Sequence, residues 1–199
     1  MRKISLFVIF IIFLNFKLFA VSYNSEPKLF ISELVEDAIS ILSNKSIGEE
    51  EKAKSIEKIA SNNVDIKALS LYTLGDIRKT LDKETLTRYQ SVFEKYFLKS
   101  LTSRLTDYSN NKFEVLSSDQ KSAKYTIVKS KIGESSNQPE IKIDWRIYTK
   151  NPEKPLIRDL IVEGLSLART QKEEFASVLN SNNNDINALI FKLEEFISK

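Results

Sequence analysis

The chain has 199 residues, 42% hydrophobic and 29% charged, with four glycines and four prolines. That is the composition of a folded protein long enough to bury a core without disulfides. It has no histidine and no cysteine, which removes the commonest general base and metal ligand and argues against a zinc site. The formal charge of +3 belongs to the first segment. Arg2, Lys3 and Lys17 are three of the 30 basic residues, and residues 23–199 carry 27 against 27 acidic residues. Support for a nucleic-acid or anionic-membrane partner goes with that segment.

Arg2 and Lys3 precede an apolar run, Ile4 to Leu14, and Ala20, Val21 and Ser22 supply small residues for a cleavage site. The pattern predicts a secretory signal peptide over 1–22, cut after Ser22 or, as second choice, after Ala20. The run is too short to span a bilayer, which takes about 20 residues, and Lys17 interrupts it. The lack of cysteine is compatible with a bacterial periplasm.

Residues 23–199 read as a single domain. Ile31, Leu34, Val35, Ala38, Ile41 and Leu42 follow helical spacing after Pro27, an early helical position. Glu49, Glu50 and Glu51 suit a helix start, and residues 51–74 read as helix interrupted near Asn62 and Asn63, with Gly75 ending or bending it. Asp82 is placed to cap the next helix, with Leu81 and Leu86 as its hydrophobic staple. Its stripe, Leu86, Tyr89, Phe93, Tyr96, Phe97, Leu101, Leu105 and Tyr108, is long and aromatic, with a stop at Asn110 and Asn111. The period then changes to two. A strand starts at Phe113 and Val115, a second covers Tyr125 to Ile132, and a polar turn follows Gly133. The third alternates Ile141, Ile143, Trp145 and Ile147 with polar residues, and a fourth covers Leu156 to Val162. Helix returns over Thr170 to Leu179, and a last helix carries Leu189, Ile190, Leu193, Phe196 and Ile197. Helices, consecutive strands, then helices give an α+β fold, a twisted antiparallel sheet whose apolar face the aromatic helix and its neighbours can cover.

No nucleophile elbow and no glycine-rich phosphate loop are present. Asp144, Asp159 and Glu163 fall on predicted strands, where a buried carboxylate could serve as a general base. Lys142, Arg146 and Arg158 lie nearby and allow plain ion pairs instead. From the residues alone the chain is an exported α+β domain with a large apolar interior.

Two segments carry a resemblance. One runs Ile161, Val162, Glu163, Gly164, Leu165, Ser166, Leu167, then Gln171, Phe175 and residues 187–193. The other holds Val64 and Asp65, Leu74 and Gly75, then Thr85, Tyr89, Phe93, Phe97 and Leu98. With the strand Ile141 to Trp145, they are similar in order to the MlaC family, the toluene-tolerance auxiliary proteins, over about residues 29 to 197. The chain departs from the family pattern at Val64, Leu101 and Arg158. The resemblance implies a periplasmic phospholipid carrier with acyl tails in an apolar cavity and no catalytic residue, metal or cofactor, the phospholipid being cargo. It implies exchange of lipid with an inner-membrane ABC complex bearing an MlaD-like protein and with an outer-membrane MlaA-like lipoprotein and porin, maintaining outer-membrane lipid asymmetry. The cavity candidates are Leu74, Phe93, Phe97, Val128, Ile141, Ile143, Trp145, Ile147, Leu160 and Val162. Two other readings stand beside it: an envelope enzyme on a cone-shaped α+β fold using a cavity carboxylate, and an envelope interaction protein with a solid core that binds no lipid.

Overall fold

The computed structural model describes residues 22–105, 112–133 and 140–199. The proposed leader, apart from Ser22, the helix stop at Asn110 and Asn111, and most of the turn after Gly133 lie outside them. Helix α1 (Pro27–Ser43) starts on Pro27, and the Glu26 carboxylate accepts the first free N–H groups, from Lys28 and Leu29. Helix α2 (Glu49–Asn63) opens on three glutamates. The chain breaks at Val64, and Asp65 caps α3 (Ile66–Thr73) by accepting the Ala68 N–H at 3.1 Å. A 3-10 segment, Gly75–Lys79, turns the chain into α4 (Lys83–Leu105). There Asp82 accepts the Thr85 backbone N–H at 2.8 Å and the Thr85 hydroxyl at 2.8 Å. These bonds, the backbone one foremost, hold its carboxyl below the usual aspartate range. Leu81 and Leu86 pack on the same helical core, as the staple requires.

Five strands follow in a meander of order β1-β2-β3-β4-β5, every pair antiparallel: β1 (Lys112–Ser122), β2 (Tyr125–Gly133), β3 (Ile141–Tyr148), β4 (Leu156–Val162) and β5 (Leu165–Ser166). Then come α5 (Leu167–Asn180) and α6 (Ile186–Ser198). The architecture is the expected α+β fold with an open antiparallel sheet.

Two features differ from the sequence reading. The fifth strand is too short to show an alternating pattern. It exists because Glu163 and Gly164 both take positive φ, 48° and 82°, the geometry of a two-residue hairpin turn that folds Leu165 back onto Val162. The second difference is the cover of the sheet. Helices α1, α3 and α5 pack on the strands, whereas α4 packs on α2, α3 and α6. Its aromatic stripe is taken up by other helices: Phe93 meets Phe175 of α5 edge-on, and Tyr96 meets Phe196 of α6 at 5.0 Å.

The apolar interior accordingly forms two clusters. One is helical, built on Tyr89, Phe93, Phe175, Leu189, Ile190 and Leu193. The other joins Phe30, Ile31, Leu34 and Val35 of α1 to Val128, Ile147 and Ile157 of the sheet. Val64 touches both, and it bridges to Ile157 at the β4 edge.

Candidate functional site

The register of the sheet decides which side chains share a face. Directly opposed residues point the same way, so Val115, Ser130, Ile143, Val162 and Leu165 form one row across all five strands. Phe113, Ile132 and Ile141 form the row on one side of it. On the other side lie Val128, Trp145 and Leu160, then Thr126, Ile147 and Ile157. Asp159 pairs with Arg146 and Ile157 with Ile147, which leaves Arg158 as the extra residue of a bulge. The bulge keeps Ile157 and Leu160 on one face although they are three positions apart.

This face is closed at one end and open at the other. Beneath α1, Val128 and Ile147 are 0% exposed and Ile157 is 5% exposed. Toward the β4–β5 turn the cover is partial: Ser130 and Ile132 stay buried, Val115, Ile141, Ile143, Trp145, Leu160 and Val162 are half-buried, and Leu165 is 60% exposed. Two polar side chains on this face, Ser130 and Trp145, are satisfied internally. Trp145 donates its indole N–H to the Ser130 hydroxyl at 2.8 Å, and Ser130 donates to the Ile143 carbonyl at 3.0 Å. Around them the half-buried side chains offer hydrocarbon.

Seven of the ten cavity candidates, Val128, Ile141, Ile143, Trp145, Ile147, Leu160 and Val162, therefore stand on this face. The other three, Leu74, Phe93 and Phe97, belong to the helical cluster, where Leu74 and Phe93 are fully packed against helices and Phe97 is half-buried. The structure does not bring the two sets together. Phe113, Val115, Ser130 and Leu165 were not among the candidates. Register supplies the first three once β1 and β2 are aligned. The Glu163-Gly164 dipeptide after an apolar strand was the available signal for Leu165.

The three carboxylates lie off the apolar face. Asp159, 4% exposed, accepts from Arg146 at 3.3 Å, from the Ser166 hydroxyl at 2.7 Å and from the Ala168 N–H at 3.0 Å. It thereby ties β3 to the start of α5. Asp144 shares with Lys129, Lys142 and Ile161 a half-open depression of about 240 Å³ on the opposite face, smaller than the roughly 300–1,000 Å³ of ordinary small-molecule sites. The Glu163 carboxylate accepts the Lys142 backbone N–H.

Arg158, one of the departures from the family pattern, has a structural task. Its guanidinium donates to Asp65 at 2.8 Å and to the Tyr125 hydroxyl at 2.8 Å, and it lies 3.5 Å from the centre of the Tyr148 ring. The bulged residue thus holds the sheet to the cap of α3.

Comparison with known proteins agrees with this architecture. A phospholipid-binding protein from Ralstonia solanacearum, solved in complex with a phospholipid, superposes with a TM-score of 0.69 at 17% identity, over 84% of this chain and 94% of that one. At that identity the likeness is one of fold. A search of curated proteins gave no significant match. The model of the family described as MlaC protein matches residues 32–195, which takes in every helix and strand described above except the ends of α1 and α6. The chain belongs to the MlaC family.

Proposed function

We propose that this protein is a phospholipid carrier whose acyl tails lie on the apolar face of the sheet. The observation that carries the reading is the row from Val115 to Leu165, in which Val115, Ile143 and Val162 are left half-buried and Leu165 is 60% exposed. A fold neighbour that holds a phospholipid supports it. So does the position of Asp144, Asp159 and Glu163, none of which faces the row, against what an enzyme with a cavity carboxylate requires.

The energetics favour a shuttle that unloads only when docked. Two acyl chains hold about 30 methylenes at roughly 0.8 kcal/mol each, so release into water opposes a gross cost of order 25 kcal/mol. A partner that shelters the tails is needed at both ends of the journey. The MlaD-like and MlaA-like partners of the family fill those places, and lipid asymmetry of the outer membrane is the purpose such traffic serves. Residues 1–22 act as a cleaved export signal that delivers the chain to the periplasm. Among the described residues, no helix is long and apolar enough to cross a membrane.

Mass spectrometry of solvent-extracted protein tests the binding. About one diacyl phospholipid should accompany each mature chain, and delipidated protein should take it up from vesicles bearing the partner complex. Delipidated protein that acquires no lipid under any of these conditions sinks the carrier reading. The intact mass of protein from the cell envelope tests export: the N-terminus should be Tyr23, or Val21 as second choice, and uncleaved protein held in the inner membrane contradicts it.

A further inference from the structure

Leu165 is the most exposed residue of the apolar row, and the structure fixes it from both sides. Before it, Glu163 sits at φ 48°, a region unfavourable for a residue with a side chain. Two bonds to Lys142 hold it there: the Glu163 N–H donates to the Lys142 carbonyl at 3.0 Å, and its carboxylate accepts the Lys142 N–H. After it, buried Asp159 takes the Ser166 hydroxyl and the Ala168 N–H. A leucine side chain 60% open to water is therefore held at one end of a row that crosses the sheet through Val162, Ile143 and buried Ser130 to Val115 on the far edge strand.

We propose that Leu165 is the lip of the cleft, the surface over which acyl chains pass as they enter and leave, and that it sets the rate of exchange rather than the amount of lipid held. The proposal rests on the carrier reading above. In the loaded state the tails lie on the half-buried rows, and the lip contributes little. During passage, methylenes that have left one shelter and not reached the next face water, and an apolar side chain at the rim covers some of them. Shelter for one or two methylenes corresponds to a rate factor of about four to fifteen.

The experiment compares delipidated wild type, Leu165→Ser, Leu165→Met and Leu116→Ser. Leu116 is a control of similar chemistry, 46% exposed but lining the depression on the opposite face. Each is mixed with phosphatidylglycerol carrying a fluorescent tail, dispersed in detergent micelles. Loading is followed by stopped-flow emission and the final load by mass spectrometry. Leu165→Ser should load about four- to fifteenfold more slowly and reach the wild-type load, while Leu165→Met and Leu116→Ser should keep the wild-type rate. Leu165→Ser loading at the wild-type rate overturns the proposal. So does equal slowing by Leu116→Ser, which makes the effect general, or a lost final load in Leu165→Ser, which makes the residue ordinary floor. Wild type that takes up no probe from micelles overturns the lip proposal, and wild type that also takes up none from vesicles bearing the partner complex overturns the carrier reading itself; both are seen before any variant is compared.

Discussion

The helical cluster and the apolar face of the sheet are made of similar residues and end in opposite states. Around α4 and α6, Tyr89, Leu189 and Ile190 are enclosed on all sides, and burial pushes the Tyr89 phenol pKa up while its hydroxyl pairs with Thr73 at 2.9 Å. On the sheet, Ile143, Trp145 and Val162 keep part of their surface open. A close-packed cluster turns hydrophobic area into stability. An apolar face left half-covered gives up some of that stability. Hydrophobicity alone does not separate the two states; the presence or absence of a covering helix does.

The largest stability effect should come from the enclosed side. Ile190→Ala should cost about 2–5 kcal/mol in denaturant unfolding of lipid-free protein, while lipid per folded chain stays at the wild-type value. A matching fall in lipid load would erase the distinction between the regions. Next is the seam that joins them. Arg158→Met removes the tie to Asp65 and Tyr125 and the stacking on Tyr148, and should cost about 1–2 kcal/mol by the same measurement. A cost that disappears when Asp65 is also changed to Asn would locate the loss in that pair.

The sheet side should respond in the other way. In a closed core Ile143→Trp would overpack at a cost of about 1–3 kcal/mol. On a half-covered face the ring has space, so lipid-free protein should melt near the wild-type temperature and carry much less lipid. Wild type gains stability from its ligand by mass action, so melting must be compared on delipidated samples. If the variant keeps its full load, or unfolds, then the row is ordinary core at that position. The smallest effect concerns the cap of α4. The Asp82 carboxyl is depressed in the folded state. Its contribution is therefore present above the unfolded aspartate value of about 3.9 and is lost as pH falls through the lower folded value. Asp82→Asn keeps the capping oxygen without the charge, so any melting difference between wild type and variant should begin to shrink below about pH 4 and vanish only once the pH is below the depressed folded value. A difference that persists there would assign it to something other than this charge.

Much of this arrangement can be read from the residues. Period-three-and-four spacing gives α1 and α4, Asn62-Asn63 marks the break between α2 and α3, and period two gives β3 with its apolar register. Asp82, Leu81 and Leu86 announce the start of α4. The local pattern does not contain the tertiary choice of which helix covers which strand. It was natural to lay the aromatic helix on the sheet, but Phe175 and Phe196 claim its rings first. For the same reason the pattern groups Leu74, Phe93 and Phe97 with Ile143 and Trp145. The bulge at Arg158 and the two-residue β5 also escape a periodic reading, since each is a departure from a period. Both set the site: the bulge keeps Ile157 and Leu160 on one face, and the hairpin delivers Leu165 to the rim.

The outer strand β1 has a further consequence. It lies at one edge of the sheet, with bulges between Val115 and Ser117 and between Gln120 and Ser122, and its second half is Ser117, Ser118, Asp119, Gln120, Lys121 and Ser122. A half-covered hydrocarbon face beside a straight unpaired edge would be an invitation to polymerise, each molecule adding its strand to the next. Broken pairing geometry and a charged, hydroxyl-rich border withdraw that invitation. The same strand that contributes Phe113 and Val115 to the half-covered face thus guards the molecule against self-assembly into sheets.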